Sequence, residues 1–119
     1  AFISDLYVDP NNLDRMWATS SAVGVHHCFR SNDGGESWVS FTKGLPKLPL
    51  NSIEVDPDDP KRVWVAADVG VYQSINGGNS WKALTKGLPN ALACDLLYNP
   101  KAKLLRVGLR SRGVWEIDV

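Results

Sequence analysis

The feature that most constrains this chain is a sequence repeat with a period of 43 residues. Four segments return 43 positions further along. They pair 31–38 with 74–81, 42–46 with 85–89, 56–57 with 99–100 and 70–72 with 113–115. Four matches at one spacing are not a chance occurrence, so the chain is predicted to consist of repeated structural units.

The first unit is longer than the second, and the third is shorter. The spacing from Asp9 to Asp56 is 47 residues rather than 43, and the four extra residues lie within 20–27. The third unit reaches Val119 without a counterpart of the 31–38 segment. The sequence therefore predicts two full units and most of a third.

Each unit is predicted to form four short β-strands. In the second unit, Ile53 and Val55 alternate with polar residues, and the following segment contains Pro57 and Pro60, which cannot donate ladder hydrogen bonds. Turn residues separate the later strands, and no segment has a convincing helical period. The strands of this unit are predicted over 51–55, 61–67, 71–75 and 81–85.

A four-stranded repeat of this length is typical of a β-propeller blade. We therefore expect an all-β fold of about 2.75 blades and eleven strands, in one partial propeller domain. Blade 1 is predicted at about 1–46, blade 2 at about 47–89 and an incomplete blade 3 at about 90–119. Because a closed propeller needs at least about four blades, the expected partners are missing blades in the same or another chain, or further copies in a homo-oligomer.

Composition excludes several classes of protein. Lys plus Arg and Asp plus Glu are 13 each, so the formal charge is zero. Nucleic-acid binders and polybasic membrane binders carry a positive excess, and no apolar run approaches the ~20 residues of a membrane span. We expect neither nucleic acid nor membrane as a partner.

The cysteines and histidines do not form a metal-binding pattern. Cys28 and Cys94 lie far apart in apolar, strand-like stretches, where both thiols are predicted to be buried. The only histidines are His26 and His27. A four-ligand zinc site of ordinary spacing is absent from the sequence, and neither a metal nor a cofactor is expected.

The segments 31–38 and 74–81 resemble the Asp-box, the repeat motif of bacterial neuraminidases (BNR repeat). Asn replaces Asp in the second copy. The matching residues are Ser31, Asp33, Gly35, Ser37 and Trp38, then Ser74, Asn76, Gly78, Ser80 and Trp81. The 105–116 segment is similar to the last blade of secreted bacterial Asp-box propellers, which implies C-terminal blades and a secreted or extracellular location.

In that family the motif is mainly structural. It forms the hairpin between the third and fourth strands, on the face away from the usual active site. In this chain Asp33 and Asn76 could accept backbone N–H bonds in the turn. Trp38 and Trp81 are predicted to bury aromatic surface between strands.

Candidate binding residues lie in loops on the opposite face, where propeller ligands usually bind. The insertion contains His26 and His27, which could act in acid–base chemistry or bind a metal, or could form a longer hairpin with one ring outward and one packed. Arg110 and Arg112 could bind a carboxylate or phosphate, or could be solvated loop charges.

The acidic residues offer weak candidates for catalysis. A glycosidase needs two carboxylates across the scissile bond, ~5 to ~9.5 Å apart. Asp68 lies in a loop on the expected binding face, whereas Asp95 lies in a first strand nearer the axis. One carboxylate on that face is not a pair, so the sequence favours a chain that is not catalytic by itself.

The resemblance includes sialidases, xyloglucan-active endoglucanases, sortilin-type receptors and a photosystem assembly factor, so the fold leaves function open. One hypothesis is a non-catalytic binding or scaffold segment that contacts glycan or protein through its top-face loops. The alternative is the C-terminal part of a secreted Asp-box glycoside hydrolase whose catalytic residues lie mostly outside this chain. A sortilin-type receptor fragment is a third hypothesis, for which several disulfides downstream would be expected.

Overall fold

A computed structural model describes residues 3–22, 27–85, 87–89 and 91–119. The strands are β1 (Ile3–Val8), β2 (Met16–Ser20), β3 (Cys28–Ser31), β4 (Val39–Ser40), β5 (Leu50–Val55), β6 (Val63–Ala67), β7 (Gly70–Ser74), β8 (Lys82–Ala83), β9 (Ala93–Asn99), β10 (Leu104–Leu109) and β11 (Gly113–Asp118). They form three antiparallel sheets of consecutive strands, with four, four and three strands. The all-β prediction and its eleven strands are confirmed for the described residues.

The predicted turns separate the strands for the expected reasons. After β5, the Asp56 carboxylate accepts the Asp58 N–H at 2.9 Å, and the Asp56 N–H donates to the Arg62 carbonyl at 3.0 Å. The same carboxylate-capped turn follows β1, where Asp9 accepts the Asn11 N–H at 2.8 Å. An Asp that caps its own turn makes a tight reversal, so the first two strands of each sheet pair directly.

The core lies between the sheets. Every residue of β6 is buried, and its side chains alternate between the two neighbouring sheets. Val63 and Val65 pack with Trp17 towards the first sheet, whereas Trp64 packs against Tyr98 of the third sheet with ring centroids 4.5 Å apart. The second sheet is therefore covered on both faces, as expected of a stacked blade.

The outer face of the first sheet is different, because no described sheet covers it. Leu6 is 52% exposed and Val8 is 39% exposed on this face. Trp38 is 37% exposed, so the prediction that it is buried between strands is wrong, whereas its counterpart Trp81 is 4% exposed. Trp81 is buried because it packs on the preceding sheet, and no described sheet lies before Trp38.

The strand β8 is two residues long, shorter than the predicted 81–85 segment, and its counterpart β4 is equally short. The Trp81 N–H donates to the Lys43 carbonyl at 3.0 Å, and its indole Nε1 donates to the Phe41 carbonyl at 3.1 Å. Trp81 is thus bound to the connection that leaves the first sheet rather than to its own strand neighbour. Within the described residues, no helix has the length and apolar character that crossing a membrane would require.

Candidate functional site

The sheets have two ends with different loops. The upper end carries the 68–69 and 110–112 turns and the connections after β4 and β8. The lower end carries the 31–38 and 74–81 hairpins and the turns after β1, β5 and β9. The described candidates Asp68, Arg110 and Arg112 lie at the upper end, so the cavity beside Asp68 and Arg110 is the first candidate site.

A cavity of about 380 Å³ opens at the upper end beside the second and third sheets. Its described lining residues are Asn51, Asp68, Leu92, Cys94 and Arg110. Two residues that the sequence singled out separately, Asp68 and Arg110, thus line one cavity. A carboxylate, an amide and a guanidinium together offer hydrogen-bond donors and acceptors to a polar ligand.

The side chain of Asn51 links two segments that border this cavity. Its Nδ2 donates to the Asp68 carboxylate at 3.0 Å and to the Ala93 carbonyl at 2.9 Å. A register shift between Leu50 and Ser52 leaves Asn51 unpaired in the β5–β6 ladder. Such a bulge re-aims a side chain. Sequence reasoning missed Asn51, because the alternation of the strand gives no sign of the bulge.

Cys94 also lies at a register shift, here in the pairing of β9 with β10, and it also lines the cavity. Gly108 pairs with Asp95 and Leu109 with Ala93, so the shift in register leaves Cys94 between them. Cys94 is exposed, and the prediction that both thiols are buried is wrong for this residue. Cys28 is buried as predicted, and burial raises the pKa of its thiol.

Asp95 does not line the upper cavity. It accepts hydrogen bonds from the Leu96 N–H at 3.0 Å and the Ser52 hydroxyl at 3.1 Å. The same hydroxyl lies 3.0 Å from the Asp5 carboxylate, so Ser52 joins the first strands of the three sheets. The structure therefore does not bring Asp95 and Asp68 into one cavity.

Glu54 is the acidic side chain whose protonation this arrangement alters most. Its carboxylate accepts the Tyr98 N–H at 3.2 Å. Burial raises the pKa of Glu54 to about 7, and the charges of Asp5 and Asp95 add to the rise. Glu54 therefore ionises near neutral pH in the folded chain.

We expect Glu54→Gln to stabilise the chain at pH 8 by ~1–2 kcal/mol, a value reduced from the full shift because the group is partly solvated. When a carboxyl has a higher pKa in the folded state than in the unfolded state, its protonation stabilises the fold, and this stabilisation is fully present below the pKa of the unfolded state. For Glu54 the stabilisation is lost as pH rises through 7. At pH 4 the variant and the parent should unfold alike in urea. Glu36→Gln, on an exposed turn, is the control, and an equal gain there would contradict this account.

The remaining predicted residues do not join the upper cavity. His27 is 3% exposed, its Nδ1 lies 3.2 Å from the Ser20 carbonyl, and it borders a separate cavity of about 70 Å³. His26 lies outside the described residues. Arg112 is exposed, and its carbonyl accepts the indole N–H of Trp115 at 3.0 Å.

At the lower end, the two hairpins have matching hydrogen bonds. Asp33 accepts the Ser31 hydroxyl at 2.8 Å and the Ser37 N–H at 2.9 Å, and the Ser37 hydroxyl also donates to it. Asn76 accepts the Ser74 hydroxyl at 2.9 Å and the Ser80 N–H at 3.0 Å. The side-chain oxygen therefore organises the turn in both copies.

These hydrogen bonds lower the pKa of Asp33 to about 2, with those from the side chain and backbone of Ser37 as the largest causes. A depressed carboxyl pKa stabilises the fold above about pH 4, and this contribution is lost as pH falls through 2. We expect Asp33→Asn, which reproduces Asn76, to flatten the fall in Tm between pH 5 and pH 2. Parallel melting curves for the parent and the variant would contradict the prediction.

No group of three or more metal-binding side chains occurs in the part of the chain that the structure describes. Comparison with protein-family models finds no match. Comparison with curated proteins finds none either.

Solved structures do match. An ancestral GH74 enzyme superposes with a TM-score of 0.77 and 21% identity over 94% of this chain and 14% of its own. The GH74 xyloglucanase from Xanthomonas campestris has a TM-score of 0.74 and 18% identity over 95% of this chain and 20% of its own. YCF48 bound to D1 peptide has a TM-score of 0.70 and 18% identity over 99% of this chain and 37% of its own.

This chain therefore spans between 14% and 37% of the length of these three structures. At such identities the likeness concerns the fold and not the chemistry. What the comparisons establish is that the three sheets are blades of a β-propeller, the fold that this chain shares with GH74 enzymes and YCF48.

Proposed function

We propose that this chain is a non-catalytic binding segment of a β-propeller and that its upper cavity contacts a glycan or a protein. The observation that carries the proposal is the lining of that cavity. Among its described residues Asp68 is the one acid, and Arg110 is the one cation. Hydrolysis of a glycosidic bond needs two carboxylates, whereas binding needs only complementary polar groups.

The hydrogen bond from Asn51 supports this reading. It is accepted by one oxygen of the Asp68 carboxylate and leaves the remaining lone pairs of that carboxylate for ligand hydroxyl or N–H groups. The Arg110 N–H donates to the Leu92 carbonyl at 2.9 Å, so the turn that carries the guanidinium is anchored as well. A site held in this way loses little entropy when a ligand binds.

The test is an NMR titration of the chain with a xyloglucan heptasaccharide and, separately, with a short peptide. We expect shifts at residues around the upper cavity with one of these probes. Asp68→Asn and Arg110→Gln should each weaken binding about tenfold. Arg112→Gln, on the same turn but outside the lining, is the matched control. If neither probe shifts these residues, or all three variants bind alike, the proposal fails.

The likeness to GH74 enzymes favours one second candidate, in which the chain is part of a glycoside hydrolase. Under this alternative, Asp68→Asn and Asp95→Asn should abolish release of reducing ends from xyloglucan. The non-catalytic proposal expects no release by the parent chain. Release of reducing ends by the parent chain, at a rate that either substitution lowers, would support the hydrolase alternative.

We further propose that the 31–38 and 74–81 hairpins are structural Asp-boxes and that another propeller blade covers the outer face of the first sheet. The equivalent face of the second sheet packs through Val63 and Val65, whereas Leu6 and Val8 are exposed. An exposed apolar sheet face favours association. Covering blades could come from the same chain, another chain or further copies.

Light scattering behind a sizing column tests the version in which copies cover one another. We expect a defined oligomer in that case, and Leu6→Lys should convert it to a monomer. Leu13→Lys, in an exposed turn, is the control that should leave the mass unchanged. A monomeric parent would exclude self-association and leave blades of another polypeptide segment as the partner.

A further inference from the structure

A second and larger cavity lies at the lower end, between the first and second sheets. It has a volume of about 480 Å³, within the range of roughly 300–1,000 Å³ typical of ligand pockets. Its described lining is mostly polar, with three cations and one acid. The charged residues are Arg15, Arg30, Lys61 and Asp59.

Arg30 is the central side chain of this cavity. Its guanidinium lies over the rings of Phe41 and Trp17, at 4.3 Å and 5.6 Å from their centroids. One Nη1 hydrogen bond, of 3.1 Å, reaches the Gly77 carbonyl. Nε is buried without an acceptor. A guanidinium has five N–H donors, so among the described residues most of its capacity is unused.

The repeat shows that the fold does not need a cation here. In the second sheet, Gln73 pairs with Trp64 in the same register as Arg30 with Trp17. Gln73 is neutral and accepts the indole N–H of Trp64 at 2.9 Å. The equivalent position is therefore satisfied within its own sheet, whereas Arg30 carries a charge and spare donors into the cavity.

The surrounding charges do not neutralise Arg30. Arg15 is 3.6 Å from the Asp9 carboxylate, and Lys61 is exposed. Asp59, the acid of the lining, accepts the Lys61 N–H at 3.4 Å. Burial, followed by the charge of Arg15, lowers the pKa of Arg30. Arg30 and Arg15 line the same cavity, and an anion between them would relieve the repulsion of their like charges.

Two neutral amide side chains, those of Asn12 and Asn32, also line this cavity. Asn32 has no hydrogen-bond partner for its side chain among the described residues, and Asn12 uses its Oδ1 to accept the Asp14 N–H at 3.2 Å. The Asn12 Nδ2 and the whole Asn32 amide are therefore available. Amides that both donate and accept suit the hydroxyl groups of a sugar.

We propose that this lower cavity binds the carboxylate of an acidic sugar, with Arg30, Arg15 and Lys61 around the carboxylate and the two asparagines on the ring hydroxyls. Charge-assisted hydrogen bonds from a guanidinium are stronger than neutral ones. The site is separate from the upper cavity, because no residue lines both. It could therefore be occupied whether or not the upper cavity binds anything.

The experiment is an NMR titration of the full chain with D-glucuronate at constant ionic strength, followed at the Trp17 and Arg30 resonances. Arg30→Gln, which reproduces Gln73 of the second sheet, should weaken binding at least tenfold, and D-glucose should bind at least tenfold more weakly than D-glucuronate. Arg112→Gln, which removes a cation outside the linings of both cavities, should leave D-glucuronate binding unchanged.

N-acetyl-dialanine provides a carboxylate without sugar hydroxyls. Weaker binding of this peptide than of D-glucuronate supports a sugar, and equal binding overturns that part of the proposal. Resonance shifts with D-glucose equal to those with D-glucuronate, or an equal loss of binding in Arg112→Gln, overturn the site itself. If Arg30→Gln does not fold by circular dichroism, Lys61→Gln on the exposed rim replaces it and should weaken binding about threefold. Unchanged binding in that variant counts against the proposal.

Discussion

Trp81→Ala is expected to destabilise the chain by ~3–5 kcal/mol, the usual cost of removing a buried aromatic side chain. Its ring lies edge-on to Trp17, with centroids 6.4 Å apart and an interplanar angle of 85°. Its indole N–H donates to the Phe41 carbonyl, so the variant also leaves that carbonyl without its partner. Urea unfolding followed by circular dichroism measures the loss.

Trp38→Ala is the matched control, because Trp38 occupies the same position in the other hairpin. It is 37% exposed, and its indole N–H donates to the Gly35 carbonyl of its own turn at 3.0 Å. We expect a loss of about 1 kcal/mol in the isolated chain. Equal losses for the two variants would show that the contact with the preceding sheet is not what makes Trp81 stabilising.

Gly44→Ala is the second change with a large expected effect, above ~3 kcal/mol. Gly44 has φ +91°, where side chains other than hydrogen are strained, and a Cβ there would collide with the Trp81 carbonyl oxygen. Backbone cannot rotate aside as a side chain can. The collision would push apart the connection after β4 and the 74–81 hairpin, which the Trp81 N–H joins to the Lys43 carbonyl.

Gly35→Ala separates strain from collision. Its φ is +93°, nearly the same as at Gly44, but the nearest atoms to an added Cβ are 3.6 Å away. We expect the free energy of unfolding of this variant to fall by only ~1–2 kcal/mol, the cost of backbone strain at a positive φ. Thermal or urea unfolding of both variants gives the comparison, and a Gly35→Ala loss as large as that of Gly44→Ala would contradict the proposed collision.

Much of the fold could be predicted from local patterns. The 43-residue repeat predicted three similar sheets, and the alternation around Ile53 and the Pro57 turn placed β5 and β6 within a few residues of their positions. The contact of Trp81 with the connection after β4 could not be predicted, because it joins residues about 40 positions apart in the chain. Strand pairing within a sheet is local, whereas packing between sheets is not.

The candidate sites were harder to predict. Asp68 and Arg110 were each identified from loop position, yet the sequence did not indicate that they share a cavity with Asn51, which the bulge leaves unpaired in its ladder. Arg30 was not identified at all, although its replacement by Gln73 in the next repeat was visible in the sequence. A comparison of the repeats residue by residue, looking for charge where the copy is neutral, would have found it.

The sequence by itself determined the strand order, the turns and the antiparallel pairing, because these follow from alternation, Gly and Pro, and chain connectivity over short distances. Tertiary structure alone decided which member of a repeated pair is buried. Trp38 and Trp81 end closely similar eight-residue segments and the same kind of hairpin, but among the described sheets only Trp81 has one before it to pack against. Burial depends on the neighbouring sheet, and a repeated motif contains no information about whether that neighbour is present.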